Sequence, residues 1–182
     1  MICFLGHLLL IYENGINFCW CLYLGIETLM ASQHHALQTS LKHPAEVRGL
    51  GIHSGRFIEV SLQPAPAGHG IVFCRTDIEG QDPLIPALIN NVTDASLCTK
   101  IQNADGISVS TIEHFMAAFY GLGLDNVLVE VDGPEMPILD GSAIQIVQLL
   151  QQAGIIALDK LKPVLVVTEP VEVKLDNNVV IQ

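Results

Sequence analysis

The sequence is short of positive charge: 8 Lys and Arg stand against 19 Asp and Glu, for a formal net charge of −11. No basic run occurs, and a nucleic-acid binder needs clustered Lys and Arg to displace counterions from phosphates, so that class is excluded. The acidity reads as a soluble, self-repelling surface. Cysteine pattern is missing too. The five cysteines (Cys3, Cys19, Cys21, Cys74 and Cys98) are odd in number and irregularly spaced, with no CxxC pair. Neither a structural zinc knuckle nor a disulfide framework is supported, and reduced thiols in a cytoplasmic protein are the simplest reading. No apolar run is long enough for a membrane span. Residues 1–12 and 15–26 are apolar but are split by Glu13-Asn14, and each falls short of the roughly 18–20 residues a span needs. The first Lys or Arg is Lys42, so a secretory signal with a basic start is also absent. The first 29 residues read as a start codon placed too far upstream, with Met30 as the sensible start, in preference to a functional leader.

What is present fits one ordinary domain with some chain left over. The chain has 182 residues, half of them apolar and 15% charged, as expected of a globular core. Alternation predicts a strand over 57–62. The Pro64-Ala65-Pro66-Ala67-Gly68 stretch predicts a turn, and 71–75 the returning strand of a hairpin. Two prolines make 81–88 a loop or an edge, and 107–110 suits a short strand. A helix is expected next, with Ser110 and Glu113 in capping-box spacing. Ile112, Phe115, Met116 and Phe119 form its apolar face, and Gly121 and Gly123 end it. A strand over 126–131 and a rigid Gly133-Pro134-Glu135-Met136-Pro137 loop follow. Asp140-Gly141-Ser142 is expected to cap a second helix running to about Ala153 and closed by Gly154. Lys162-Pro163 looks like a boundary, and 164–168 and 171–175 read as strands of a further unit. Strands and helices mix without strict βαβ alternation, so the fold class is α+β, layered.

Chemistry could sit at Glu113 and His114. With the apolar stripe facing inward, these two lie away from it in the helix's first turn, where backbone N–H groups are free. A metal hydrolase uses such a pair, one side chain holding the ion and its neighbour taking a proton from water. Read alone, the segment is better explained by a cap and an incidental histidine. A catalytic zinc needs about three protein ligands, and no HExxH pattern supplies a second.

The surrounding blocks change that weighting. Gly49-Leu50-Gly51-Ile52-His53-Ser54-Gly55 is followed by Pro64-Ala65-Pro66, Arg75-Thr76-Asp77, Leu97-Cys98-Thr99 and Ser110-Thr111-Ile112-Glu113-His114. Gly121-Leu122-Gly123-Leu124-Asp125-Asn126 and Pro134-Glu135-Met136-Pro137-Ile138-Leu139-Asp140-Gly141-Ser142-Ala143 complete the series. From about Leu37 onward the chain closely resembles the UDP-3-O-acyl-N-acetylglucosamine deacetylase family of lipid A biosynthesis. The resemblance implies a zinc-dependent amide hydrolase that removes the N-acetyl group from UDP-3-O-acyl-N-acetylglucosamine in the cytoplasm. It also implies two similar α+β domains, each a small sheet packed with helices as a two-layer sandwich, with the active site between them. Residues 1–36 would then be an apolar extension outside the fold, 37–160 the first domain, and 161–182 the opening strands of a truncated second.

By position, the resemblance makes Glu113 the general base and His114 the first zinc ligand. Leu97, Cys98 and Thr99 match a loop lining the cleft near the substrate, and His53 a position near it. The other reading of His53 is an exposed residue on a tight turn. Cys98 is a pocket-wall residue rather than a nucleophile, since no histidine is placed to activate it. The family's later His-Lys-x-x-Asp element, its later histidine, threonine and lysine have no counterpart, and no histidine follows His114. With one Zn2+ ligand and the rest absent, the polypeptide as written is expected to be an inactive fragment. A non-enzymatic remnant or small α+β binding module is the alternative, and an apolar membrane-surface anchor at residues 1–29 is compatible with either. Acyl-chain preference and oligomeric state are not legible.

Overall fold

The computed structural model describes residues 37–164 in full. Outside them it describes three short strand pairs: Cys3–Leu5 with Leu8–Leu10, Tyr12–Glu13 with Ile16–Asn17, and Val173–Lys174 with Val180–Ile181. The predicted strand over 164–168 lies outside the described residues beyond Val164, and 171–175 is described only at Val173–Lys174. Among the described residues, no helix is long and apolar enough to cross a membrane.

The chain is α+β. Within residues 37–164 its strands are β1 (Leu37–Leu41), β2 (Ala45–Leu50), β3 (Phe57–Pro64), β4 (Ile71–Arg75), β5 (Leu84–Pro86), β6 (Val92–Asp94), β7 (Lys100–Gln102), β8 (Ser108–Val109), β9 (Val127–Val131) and β10 (Ile155–Leu161). Helix α1 (Glu113–Leu122) precedes β9, and α2 (Ile144–Ala153) follows it. The main sheet runs β2-β3-β9-β4-β5, with β9 antiparallel to β3 and parallel to β4. Two smaller sheets flank it, β6-β7-β8 and β1-β10.

Period-two alternation puts one face of every main-sheet strand inward. A single rung shows the result: Ala45, Leu62, Val129, Phe73 and Ile85 are successive cross-strand partners over all five strands, and all five are buried. The helices complete this core. Phe115, Ala118 and Phe119 of α1 and Ile146, Leu150 and Ala153 of α2 are buried in the same cluster as the rung. Phe115 and Phe119 meet edge to face with ring centroids 6.2 Å apart, a favoured aromatic geometry. Gly123, at φ 68°, closes α1 in a left-handed conformation that glycine adopts freely.

Three expectations are corrected. The strands at 57–64 and 71–75 do not form a hairpin, because β9 lies between them. Their antiparallel sense survives, but they are split by one strand. Asn126, buried at the start of β9, explains how the gap is bridged. Its Oδ1 accepts the N–H groups of Gly68 (3.1 Å) and Gly70 (2.9 Å), and its Nδ2 donates to Gln38 Oε1 and Thr39 O, both at 3.1 Å. The 65–70 connection is thereby fastened over the inserted strand.

The capping box is not formed either. The residue preceding α1 is Ile112, and no side chain caps that end. Ser110 is instead held in a backbone bridge to Glu135, its N–H on Pro134 O (3.0 Å) and its carbonyl on Met136 N–H (2.9 Å), while its hydroxyl donates to Pro134 O. The second helix begins at Ile144, not Asp140, and again without a side-chain bond from its cap position, Ala143. Asp140 Oδ1 accepts from the N–H and hydroxyl of Ser142, both at 2.9 Å, and Ser142 Oγ accepts the N–H of Ile144 at 3.2 Å, so the triplet does supply a side-chain acceptor to the helix start, from one residue ahead of the cap position. The end at Ala153, followed by Gly154, is as expected.

Asn126→Ala removes the acceptor of the Gly70 N–H and one of two acceptors of Gly68. Urea unfolding is expected to show a loss of about 1–2 kcal/mol, since the N–H groups left behind are only partly buried and water replaces part of what is lost.

Candidate active site

The segment ahead of α1 is held from two sides. Arg75, buried at the end of β4, makes a bidentate pair with Asp77 (Nε–Oδ1 and Nη2–Oδ2, both 2.8 Å), and its Nη1 donates to Ser108 O at 2.6 Å. That bond ties β4 to β8, which leads directly into Ser110. On the other side stands the Ser110 bridge to the 134–136 loop. Between the two the chain reverses at Thr111, whose φ of 59° is left-handed. Such a conformation is a real outlier for a β-branched residue.

Glu113 and His114 follow at once, side by side in the first turn of α1 and both half-buried. Glu113 Oε2 accepts the backbone N–H of Thr99 at 3.1 Å. This bond explains why Glu113 does not reach back to cap its own helix: its carboxylate is committed to the loop between β6 and β7. Cys98 is half-buried on that loop and Leu97 is 87% exposed at its tip. An apolar cavity of about 350 Å³ opens beside Thr99 and Glu113, walled also by Leu88, Val92, Ile101 and Met116, and neither Leu97, Cys98 nor His114 lines it. The structure thus joins Glu113 to Thr99 directly, while His114 is tied to them only as the residue after Glu113 on α1.

His53 is exposed on the 51–55 turn, and only its backbone is engaged, its N–H donating to Glu135 Oε1 at 2.9 Å. Glu135 was not among the sequence candidates. It is buried, 2% exposed, and it also accepts Ser54 N–H at Oε2 (2.7 Å) and the Thr111 hydroxyl at Oε1 (3.3 Å). Burial pushes its carboxyl up, but the bonds from Ser54, His53 and Thr111 outweigh this and hold it below the usual carboxylate value. The one sequence signal for it was a lone acid in the apolar, proline-bounded Pro134-Glu135-Met136-Pro137 stretch. Cys74, the other free thiol among the described residues, faces away on the main sheet; burial first, then the Glu130 and Asp82 carboxylates, push its thiol up. A second cavity, of about 230 Å³, is lined by Glu46, Arg48, Glu59, Glu130 and Asp132 and contains none of the sequence candidates.

For a metal ion, the imidazole of His114 suits zinc as one donor. The described residues do not complete a set: no group of three His, Cys, Asp or Glu side chains able to hold a metal occurs among them.

The family model for UDP-3-O-acyl N-acetylglycosamine deacetylase matches residues 38–182. The chain belongs to this deacetylase family. Among curated relatives, the UDP-3-O-acyl-N-acetylglucosamine deacetylase of Myxococcus xanthus is 47% identical over 136 residues, 75% of this chain and 43% of the relative. The deacetylase of Photobacterium profundum is 45% identical over 138 residues, covering 75% and 45%. That of Phenylobacterium zucineum is 50% identical over 117 residues, covering 64% and 40%. The chain therefore spans less than half the length of these deacetylases.

Asp77 yields a pH prediction. Its side-chain bond from Arg75, with the guanidinium charge, holds its carboxyl below the usual value against the opposing effect of burial. A depressed folded-state pKa contributes stability above the unfolded value of about 4, and this is lost as pH falls through the folded value. Unfolding followed from pH 6 to pH 2 should show an acid limb that is shallower in Asp77→Asn.

Proposed function

We propose that this chain supplies the base-bearing half of a zinc-dependent amide hydrolase acting on UDP-3-O-acyl-N-acetylglucosamine in the cytoplasm, in lipid A biosynthesis. The observation that carries the reading is Glu113 beside His114 at the start of α1, with the Thr99 N–H on Glu113, in a chain of the deacetylase family. In this reading residues 37–160 are the first of two similar two-layer α+β domains, and 161–182 begin the second.

Glu113 is the general base. Thr99 N–H engages Oε2 and leaves Oε1 to take the proton of the water that attacks the acetamide carbonyl. Thr99 thus fixes the carboxylate's rotamer, and the apolar cavity beside it limits competing water. His114 is one zinc ligand, and when bound the ion polarises the carbonyl and makes water easier to deprotonate. Leu97 and Cys98 line the substrate side of the same loop, and His53 lies near the cleft. The remaining ligands come from the region of the relatives that this chain does not span. One imidazole holds zinc weakly, so these 182 residues by themselves are inactive.

The test is a chimera in which residues 38–162 replace the matching segment of the Myxococcus xanthus relative. It should release acetate from UDP-3-O-acyl-N-acetylglucosamine. Glu113→Gln should keep its zinc, read by metal analysis, and lower kcat by about 10²- to 10⁴-fold. His114→Ala should lose zinc as well. Near-normal turnover in Glu113→Gln would remove the base assignment. A folded, zinc-loaded chimera without turnover would favour a non-enzymatic remnant or binding module.

A further inference from the structure

Thr111 stands two residues before Glu113 in a left-handed backbone conformation that is strained for a β-branched residue and persists only where its surroundings impose it. Three constraints meet there. Ser110 is pinned to the 134–136 loop, Ile112 is buried in the core, and the Thr111 hydroxyl, itself buried, donates to Glu135. The same carboxylate accepts both N–H groups of the 53–54 turn. No cation is paired with it among the described residues, whose salt bridges all involve other acids. Its charge is matched by directed donors alone. Gly51 leaves room for it: a Cβ there would lie 2.5 Å from Glu135 Oε2.

We propose that Glu135 is a positioning residue of the site. It fastens the 51–54 turn to Thr111, holds Thr111 left-handed, and so sets the direction in which Glu113 and His114 leave the start of α1. The inference rests on the reading of Glu113 and His114 as base and ligand. Glu135 itself touches no reacting atom; it acts through Thr111. A carboxylate serves where an amide would not, because three donors converge on its two oxygens and an amide nitrogen cannot accept from Ser54 N–H.

The test uses NMR of the full chain, without zinc or substrate, and kinetics of the chimera. Glu135→Gln should move the Thr111 and Thr99 amide signals and the His114 ring signals. It should also lower hydrogen-exchange protection of the Met116 N–H, which bonds Ile112 O at 2.9 Å, while Val60 and Val129 in the main sheet keep theirs. Thr111→Val, which removes only the hydroxyl, should shift the same Thr99 and His114 signals. Thr111→Ser, which keeps it, should restore wild-type positions. In the chimera, Glu135→Gln should lower kcat by about tenfold or more with KM nearly unchanged, as for a displaced catalytic group. Movement confined to His53 and Ser54, with Thr99 and His114 unmoved in both Glu135→Gln and Thr111→Val, would overturn the proposal. If Glu135→Gln unfolds, the Val and Ser pair at position 111 decides by the same signals. The NMR arm is independent of turnover, so shifts there in a chimera lacking deacetylase activity would sink the functional reading and leave the positioning role standing.

Discussion

A carboxylate buried without a cation has to be surrounded by donors, and in this chain that requirement organises the whole region ahead of α1. Desolvating an ionised acid costs several kcal/mol, and Glu135 offsets this with N–H donors from one turn and a hydroxyl from another. Each donor must therefore be brought to it. The 51–55 turn closes on itself through Gly55 N–H to Gly51 O at 2.9 Å, which aims its N–H groups inward. The loop carrying Glu135 is held against β2 by Ile138 N–H on Leu50 O, also 2.9 Å. Thr111 takes up a strained conformation to reach the same point. End of strand, loop and start of helix thus share one anchor.

That anchor needs a rigid support, and the main sheet provides it. The Ala45–Leu62–Val129–Phe73–Ile85 rung gives the helices a continuous apolar floor. Asn126 keeps β9 in the centre by holding the connection that passes over its start. Because β9 runs on through Asp132 into the 133–139 loop, the position of Glu135 follows from the register of β9 against β3 and β4. Arg75, extending from β4, fixes β8 from the opposite side. Two neighbouring strands of one sheet therefore clamp the two flanks of the Ser110–His114 segment.

Much of this was legible in the sequence, and the failures have physical causes. Alternation reports which face of a strand is buried, so 57–62, 71–75 and 126–131 were read correctly as strands. It carries no information on which strands are neighbours, and the Pro-rich turn suggested a hairpin that β9 in fact splits. The Ser110-x-x-Glu113 spacing satisfied the capping-box pattern, but spacing cannot reveal that both side chains have better partners, Pro134 O and Thr99 N–H, elsewhere in the chain. Glu135 was missed for the same reason. Its donors lie 82, 81 and 24 residues away, and no local pattern marks such contacts. Glu113, His114 and Thr99 were singled out only because ordered blocks along the chain resembled a family; composition and periodicity left Glu113 and His114 as a cap and an incidental histidine.

On the proposed reading, a base and a ligand stand on adjacent helical positions, and that adjacency limits where the two can act together. Neighbours on a helix point about 100° apart, so Glu113 and His114 diverge from the axis of α1. They can address one reacting point only if that point lies off the helix end, where Thr99 meets Glu113. On the proposed reading, further ligands for an ion at that point come from an element facing the helix start, since the residues behind it, Ile112 and Phe115, are committed to the core. A pair acting in that way depends on stiffness, because its two groups must hold a common aim. The strained Thr111, anchored by Glu135, supplies that stiffness at the position where a small rotation of α1 would swing both side chains away together.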